Sequence, residues 1–163
     1  MDKPGIELIK LEFPEGCNII LGQSHFIKTV EVLYEAVSGT VPGARFGLAF
    51  AEASGPRLVR SDGTDLELRS IAEKNILKLQ CGHVFMIVLH GVFPIQILNQ
   101  VKNVPEVCRI FCATANPVQV IVGRSDRGGG IMGVIDGEPP FAVEIEEDIE
   151  NRIELLKRIG YKR

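Results

Sequence analysis

A histidine and a lysine three residues apart are the side chains of this sequence best suited to chemistry. His25 and Lys28 lie in residues 22–29, between an apolar run typical of a strand and a pattern typical of a helix. At such a junction the first backbone N–H groups of the helix are unpaired and attract anions. A neutral imidazole is a nucleophile near neutral pH, and an ammonium group neutralises phosphate oxygens. The pair therefore suits phosphoryl chemistry, although a loop histidine is more often only solvated or hydrogen bonded.

Other polar residues also cluster where apolar runs end. Ligand sites in open α/β sheets gather at strand ends, so these segments can converge on one ligand. The candidates outside the glycine-rich loop described next are Gln23, Glu52, Ser54, Gly55, Arg57, His83, Asn116 and Pro117.

A run of three glycines follows two arginines late in the chain. Gly128, Gly129 and Gly130, with Arg124 and Arg127 beside them, could wrap a phosphate with backbone N–H groups. The run is not a Walker A loop, because no Gly-Lys-Ser/Thr follows, and its spacing differs from the dinucleotide-binding fingerprint. A flexible hairpin tip fits the same composition.

Several of these candidates also have a simpler interpretation. Glu52 could hold Mg²⁺ or a ribose hydroxyl, but a carboxylate at a strand end most often pairs with a nearby base, here Arg57. Ser54 and Gly55 fit a plain turn as well as a ligand contact. His83 could orient His25 or a phosphate, or it could be a structural histidine. The sequence offers no cluster with zinc-ligand spacing, so we expect no metal site in the protein itself.

Composition narrows the class of protein. The 163 residues are 45% apolar with a net charge of −3 and no basic stripe, which argues against nucleic-acid binding. Cys108 and Cys112 lie four apart in a strand-like run, which predicts that both are small apolar residues on one face. The longest uninterrupted apolar run, residues 84–89, is too short to cross a membrane, and no leader is visible. We expect a cytoplasmic protein with reduced, buried thiols and no membrane partner.

Strands and helices mix along the chain without strict alternation. The pattern predicts one α/β domain over residues 1–163, α+β-like, with a single mixed sheet covered by helices. Residues 84–89 are apolar throughout and should form a central strand buried on both faces. Strands are predicted at 6–13 with 17–21 as antiparallel neighbour, and at 46–53, 58–60, 107–113, 118–122 and 131–135; helices are predicted from Thr29, at 68–79, at 95–102 and at 143–159.

Two of the predicted helices need partners outside themselves. Asn75 falls on the apolar face of the helix over 68–79 and requires a hydrogen-bonding partner. The last helix, within residues 143–160, has an acidic first half and an apolar stripe that would dock on the domain or on a neighbouring subunit. The stripe consists of Ile145, Ile149, Ile153 and Leu156.

Several short motifs in one order resemble the adenosine-specific kinase family, a small domain family of archaea and bacteria. The resemblance covers nearly the whole chain up to about Gly137, with similar spacing, and it is weakest in the acidic last helix. The motifs are GQSHFIKT at 22–29, FAEASG at 50–55, RLVR at 57–60, GH at 82–83, NVPEV at 103–107 and ATANP at 113–117.

The resemblance implies a homo-oligomer, a trimer or hexamer, that binds an adenine nucleotide (ATP, ADP or AMP) and carries a phosphorylated histidine. By position the modified histidine is His25, in the longest motif, with His83 as the alternative. Nucleotide contacts would come from Gln23, Glu52, Ser54, Gly55, Arg57, His83, Asn116, Pro117, Arg127, Gly128, Gly129 and Gly130, with Mg²⁺ as an optional companion of the nucleotide.

Two functions follow from this resemblance and from the residues. In the first, the protein is an adenosine or adenine-nucleotide phosphotransferase, with His25 as phosphoryl carrier and Lys28 as its electrostatic partner. In the second, it is a non-catalytic adenine-nucleotide sensor or regulatory oligomer. The lack of a recognisable Mg²⁺-binding phosphate loop favours the second. A structural assembly protein without a small-molecule site is a third, weaker interpretation.

Overall fold

The fold contains two antiparallel sheets and four helices in one α+β domain, as seen in a computed structural model that describes residues 5–161. The fold class is thus confirmed, with the strands divided between two sheets in place of one mixed sheet. Residues 1–4 and 162–163 of the expected domain lie outside the described part. The strands are β1 (Gly5–Lys10), β2 (Cys17–Ser24), β3 (Arg45–Ala51), β4 (Val59–Gly63), β5 (Val84–His90), β6 (Val107–Thr114), β7 (Val118–Ser125) and β8 (Gly128–Asp136); the helices are α1 (Thr29–Thr40), α2 (Leu66–Leu79), α3 (Pro94–Lys102) and α4 (Glu146–Arg158).

The larger sheet has five strands in the order β4-β3-β5-β2-β6. Its central strand β5 is buried from Val84 to Leu89, which confirms the prediction from its apolar run. Helices α1 and α3 cover one face, through side chains such as Leu33 and Ile97. Helix α2 and the inner face of the smaller sheet cover the other, through side chains such as Ile76 and Val120.

The smaller sheet has the order β1-β7-β8 and corrects the expected hairpin between the first two strands. β1 pairs with β7, with Gly5 opposite Arg124 and Lys10 opposite Gln119, and it does not pair with β2. β2 is buried along nearly its whole length, so it suits the sheet interior between β5 and β6. β1 buries only Ile9 within its span, which suits the edge of a sheet that is covered on one side.

Two irregularities in β6 overturn the prediction that Cys108 and Cys112 share a face. Leu21 pairs with Cys112 and Gly22 with Ile110, so Phe111 is an extra residue that interrupts the alternation. The register shifts again at Cys108, which has no partner on β2. Cys112 is therefore buried, and burial raises the pKa of its thiol to about 11, whereas Cys108 is exposed.

The last helix begins at Glu146, three residues later than expected. Ile145 is its extended N-cap residue, and the Ile145 amide donates to the Asp148 carboxylate at 3.0 Å. No residue of α4 is buried, so the apolar stripe does not dock on its own domain. The hydrogen-bonding partner that Asn75 requires is the backbone of Glu12. The Asn75 side chain accepts from the Glu12 amide at 2.8 Å and donates to the Glu12 carbonyl at 2.7 Å.

Candidate functional site

At one end of the five-stranded sheet, β2 and β3 stop and β5 begins. This end, called the site edge, brings both candidate histidines together with the loop that carries Glu52. The Ser24 amide donates to the His83 carbonyl at 2.9 Å, and the His83 amide donates to the Ala51 carbonyl at 2.8 Å. Since β2 and β3 end at this edge and β5 begins there, His25, His83 and Glu52 leave three neighbouring strands side by side. The expected convergence of these three segments is therefore present.

His25 is exposed and held by one neighbouring segment. Its amide donates to the Glu106 carbonyl at 3.0 Å, and its ring Nε2 lies 3.3 Å from the Pro105 carbonyl oxygen. A carbonyl can only accept, so in the neutral ring this contact favours the tautomer that carries the hydrogen on Nε2 and the lone pair on Nδ1. The NVPEV segment thus positions His25, a role that residue type alone did not indicate.

Lys28 stands at the start of α1, directly after this histidine turn. It is the N-cap residue, it is exposed, and its side chain caps no backbone amide. The buried Thr29 hydroxyl lies 2.8 Å from Ser24 Oγ and 2.5 Å from the Phe26 carbonyl oxygen. These contacts attach the turn that carries His25 and Lys28 to the end of β2.

His83 has the environment of a structural residue. Its backbone is left-handed, with φ of 63°, and its ring stacks on Phe50 with a centroid separation of 5.8 Å and an interplanar angle of 15°. Its amide and carbonyl are both used in joining β3 to β2. Gly82 before it is tightly placed, because a Cβ there would lie 2.8 Å from Ala53 Cβ.

A cleft of about 590 Å³ opens beside this edge. Three segments line it: the β3–β4 connection, the end of α2, and the tip of the β7–β8 hairpin. Five predicted residues meet in it, and residues that the sequence reasoning missed complete it, notably Gln80, Cys81 and Gly82 at the end of α2. The five predicted lining residues are Glu52, Arg57, Arg127, Gly128 and Gly129.

Arg124 anchors the hairpin tip in the cleft wall. Its guanidinium donates to the Leu79 carbonyl at 2.8 Å and to the Gln80 carbonyl at 3.3 Å, and it pairs with Glu7 at 2.9 Å. A cation at the C-terminus of α2 is favourable for the helix dipole. An isolated parallel β-bridge between the backbones of Cys81 and Gly129 completes the attachment. The glycine-rich segment is therefore a docked wall of the cleft and not a free hairpin tip.

Glu52 pairs with Arg60, which corrects the expected partner Arg57. Its side chain is 8% exposed and accepts from the Leu58 amide at 2.8 Å and from Arg60 Nη2 at 2.9 Å. The Leu58 amide, and then Arg60, hold the pKa of Glu52 below its ordinary value against the opposing effect of burial. Arg57 is left exposed on the cleft lining, as is Arg127, so the cleft presents two arginines to an anionic ligand.

The remaining candidates are not among the cleft-lining residues. Ser54 and Gly55 are exposed in the same β3–β4 connection, outside the set of lining residues, and Gly130 faces the outer side of the hairpin. Gln23 is half-buried on β2 opposite Val84, one residue inside the edge.

Asn116 and Pro117 lie at the opposite edge of the sheet, so their expected convergence with His25 is wrong. β6 begins beside His25 and runs away from it for eight residues, which places Thr114 roughly 25 Å from the site edge at about 3.3 Å per residue. There the Thr114 hydroxyl and Asn116 Nδ2 donate to Asp136 at 2.8 and 3.1 Å. Neighbouring antiparallel strands end at opposite edges, and the gathering of all strand ends at one edge holds only for parallel sheets.

Residues 5–161 contain no group of three or more His, Cys, Asp or Glu side chains that could hold a metal ion. None of the helices in that range is long and apolar enough to span a bilayer.

The fold and the cleft define a small α+β domain with an arginine-lined site at one sheet edge. The family model described as Adenosine specific kinase matches residues 9–162, so the chain belongs to the adenosine-specific kinase family. The crystal structure of the PH1918 protein from Pyrococcus horikoshii OT3 is similar, with 42% sequence identity, a TM-score of 0.94, and 99% of each chain covered. No curated protein matches the chain at a significant level.

Proposed function

We propose that the protein transfers a phosphoryl group from an adenine nucleotide to adenosine through a phosphohistidine at His25. The observation that carries the proposal is the placement of an exposed imidazole, held by the Pro105 carbonyl, on the same sheet edge as a cleft with two arginines. Family membership supports adenosine as the acceptor. Phosphoryl transfer depends mainly on positioning and charge neutralisation, and this edge supplies both.

The nucleophile in this proposal is Nδ1 of His25. The Pro105 carbonyl retains the hydrogen on Nε2, so the Nδ1 lone pair attacks the terminal phosphorus of ATP as the bond to the ADP oxygen breaks. The 5′-hydroxyl of adenosine then attacks the same phosphorus, loses its proton to solvent, and returns the lone pair to Nδ1. Lys28 and the first amides of α1 would neutralise the phosphoryl oxygens.

The cleft would bind the phosphates of the nucleotide. Arg57 and Arg127 supply positive charge, and the backbone of Gly128 and Gly129 allows close approach of phosphate oxygens. Glu52 holds the β3–β4 connection through Leu58 and Arg60, so its role is to shape the cleft. Mg²⁺ would arrive as the counter-ion of the nucleotide, because the described residues offer it no ligand cluster.

A non-catalytic nucleotide sensor is the second candidate. Glu52 is the one carboxylate among the cleft-lining residues, and both of its oxygens are engaged by neighbouring groups. The cleft lining therefore presents no free general base for the adenosine hydroxyl, which favours binding without transfer. Self-association as a trimer or hexamer belongs to either candidate.

The test is uptake of label from ATP that carries ³²P at the γ-phosphate. We expect acid-labile label in the wild type, none in His25→Ala, and undiminished label in His90→Ala, whose histidine is exposed at the opposite edge of the sheet. The variant His83→Asn should keep the label, since asparagine tolerates the left-handed backbone at that position. Phosphorus NMR should place the phosphoryl group on Nδ1, and added adenosine should discharge it.

Different results select different conclusions. Equal label in the wild type and His25→Ala would exclude His25, and loss of label only in His83→Asn would move the carrier to His83. Calorimetric binding of ATP without label in any variant would favour the sensor. Phosphorylation on Nε2 would keep His25 as the carrier but overturn the role given to the Pro105 carbonyl.

A further inference from the structure

The outer face of the three-stranded sheet is apolar and uncovered. Ile6 and Leu8 of β1 project on the side away from the core and are 69% and 59% exposed, and Met132 and Ile135 of β8 join them. An antiparallel sheet with one solvated face normally alternates apolar residues inward with polar residues outward. Here both faces are apolar, so the outer one is expected to be covered.

The C-terminal arm, residues 141–161, is a second uncovered element. Phe141 and Val143 are 103% and 89% exposed, and no residue of α4 is buried. A helix of 13 residues is marginal in water without tertiary packing, so the arm needs a surface on which its apolar stripe can lie. Its own domain does not provide that surface.

We propose that the C-terminal arm of one copy packs on the outer face of the three-stranded sheet in a second copy. Every chain carries both the arm and the sheet face, and within a single copy neither of these two surfaces is covered. Charge also matches: the described outward residues of the sheet face include Lys10 and no carboxylate, whereas α4 begins with Glu146, Glu147 and Asp148.

The arm has enough apolar surface on one side to contribute to an interface. Seven of its large apolar side chains are exposed: Phe141, Val143, Ile145, Ile153, Leu155, Ile159 and Tyr161. Phe141, Val143 and Ile145 lie at alternate positions before α4, and Ile153 continues the apolar stripe along the helix. At roughly 100 Å² each these four supply about 400 Å², half of the about 800 Å² that each partner of a standard complex buries.

The docking surface adjoins the candidate site. Arg127, Gly128 and Gly129 line the cleft on one side of the β7–β8 hairpin, and on the other side they line a depression with Met132. A partner arm on the outer face would therefore support the hairpin that forms one wall of the cleft. The contact between the arm and the sheet face is independent of phosphoryl transfer.

The first experiment measures oligomer mass by sedimentation equilibrium. The variants Leu8→Glu on the sheet face and Ile153→Glu on the arm should each lower the mass at micromolar concentration without changing the circular dichroism. Leu66→Glu is the matched control, because Leu66 is 81% exposed at the start of α2, an element that belongs to neither surface. A monomeric wild type, or a mass that neither glutamate variant lowers, would overturn the proposal.

The second experiment identifies the occupant by disulfide formation between two differently marked copies. In a Cys108→Ser background, chains with Leu8→Cys or Met132→Cys are co-expressed with chains that carry Ile153→Cys, and the purified protein is treated with diamide, which accepts the two electrons that the thiols lose. We expect a disulfide-linked heterodimer from these pairs and none from Leu66→Cys with Ile153→Cys. A disulfide that forms only within one chain, in a protein that carries both cysteines, would place the arm on its own domain and overturn the proposal.

Discussion

The two sheets of this protein share one core but differ in how they are covered. The five-stranded sheet is packed on both faces by helices and by its smaller neighbour, whereas the three-stranded sheet is packed on its inner face only. Close packing makes the first sheet the rigid base on which His25 and His83 are placed. The second sheet extends a hairpin into the cleft and presents an outer surface. The comparison predicts that added side-chain volume destabilises the five-stranded sheet more than it destabilises the outer face of the three-stranded sheet.

The strongest test of this comparison is a pair of glycine substitutions, one in each sheet. A Cβ at Gly47 of β3 would lie 2.0 Å from the Arg69 amide nitrogen in α2, and backbone atoms of a packed helix cannot give way easily. We expect Gly47→Ala to lower the free energy of unfolding by about 3 kcal/mol, measured by urea denaturation.

The matched control for that substitution is Gly133→Ala on the outer face of the smaller sheet. No atom lies within 4 Å of a Cβ at Gly133, so the free energy of unfolding should change by no more than about 0.5 kcal/mol. Equal losses in the two variants would show that the sheets are equally packed and would contradict the comparison.

A smaller effect is expected where the segment between the two sheets is attached to α2. Asn75 is buried and satisfies both backbone groups of Glu12, which lies between β1 and β2. Asn75→Ala leaves these groups without their partner and should cost about 2 kcal/mol in urea denaturation. Lys74→Ala, at the exposed neighbouring position, is the control. A loss confined to Lys74→Ala would mean that Asn75 does not join the two regions.

The smallest effect concerns pH at the cleft, where the two sheets meet. The pKa of Glu52 is lowered in the folded protein, so its contribution to stability is present above the unfolded pKa and is lost as the pH falls through the folded pKa. In Glu52→Gln we expect a weaker decrease of the urea midpoint between about pH 5 and pH 3 than in the wild type. Identical pH profiles would show that Leu58 and Arg60 do not hold the carboxylate in solution.

Local patterns were sufficient for much of the fold. The apolar run of β5, the amphipathic patterns of α1 and α2, and the need of Asn75 for a partner were all correct, because each depends on periodicity within one segment. The bulge at Phe111 was missed, because one inserted residue changes the facing of Cys108 relative to Cys112 without changing the sequence pattern.

The candidate site was predicted in part for the same reason. That polar residues follow the strands is visible in the sequence, and five of the predicted residues do line the cleft. Which strand ends meet depends on strand direction and pairing, and neither is encoded in any one segment. Asn116 was therefore assigned to the wrong edge, and Arg60 was not recognised as the partner of Glu52.

By itself, the sequence determined the fold class, the central strand, the main helices and the family, since these follow from local periodicity and from motifs in a constant order. Only the tertiary structure decided the pairing of β1 with β7, the separation into two sheets, and the arrangement of His25, Arg57 and Arg127 at one edge. These features are contacts between distant segments. Their energies depend on which surfaces remain uncovered once the other elements have packed.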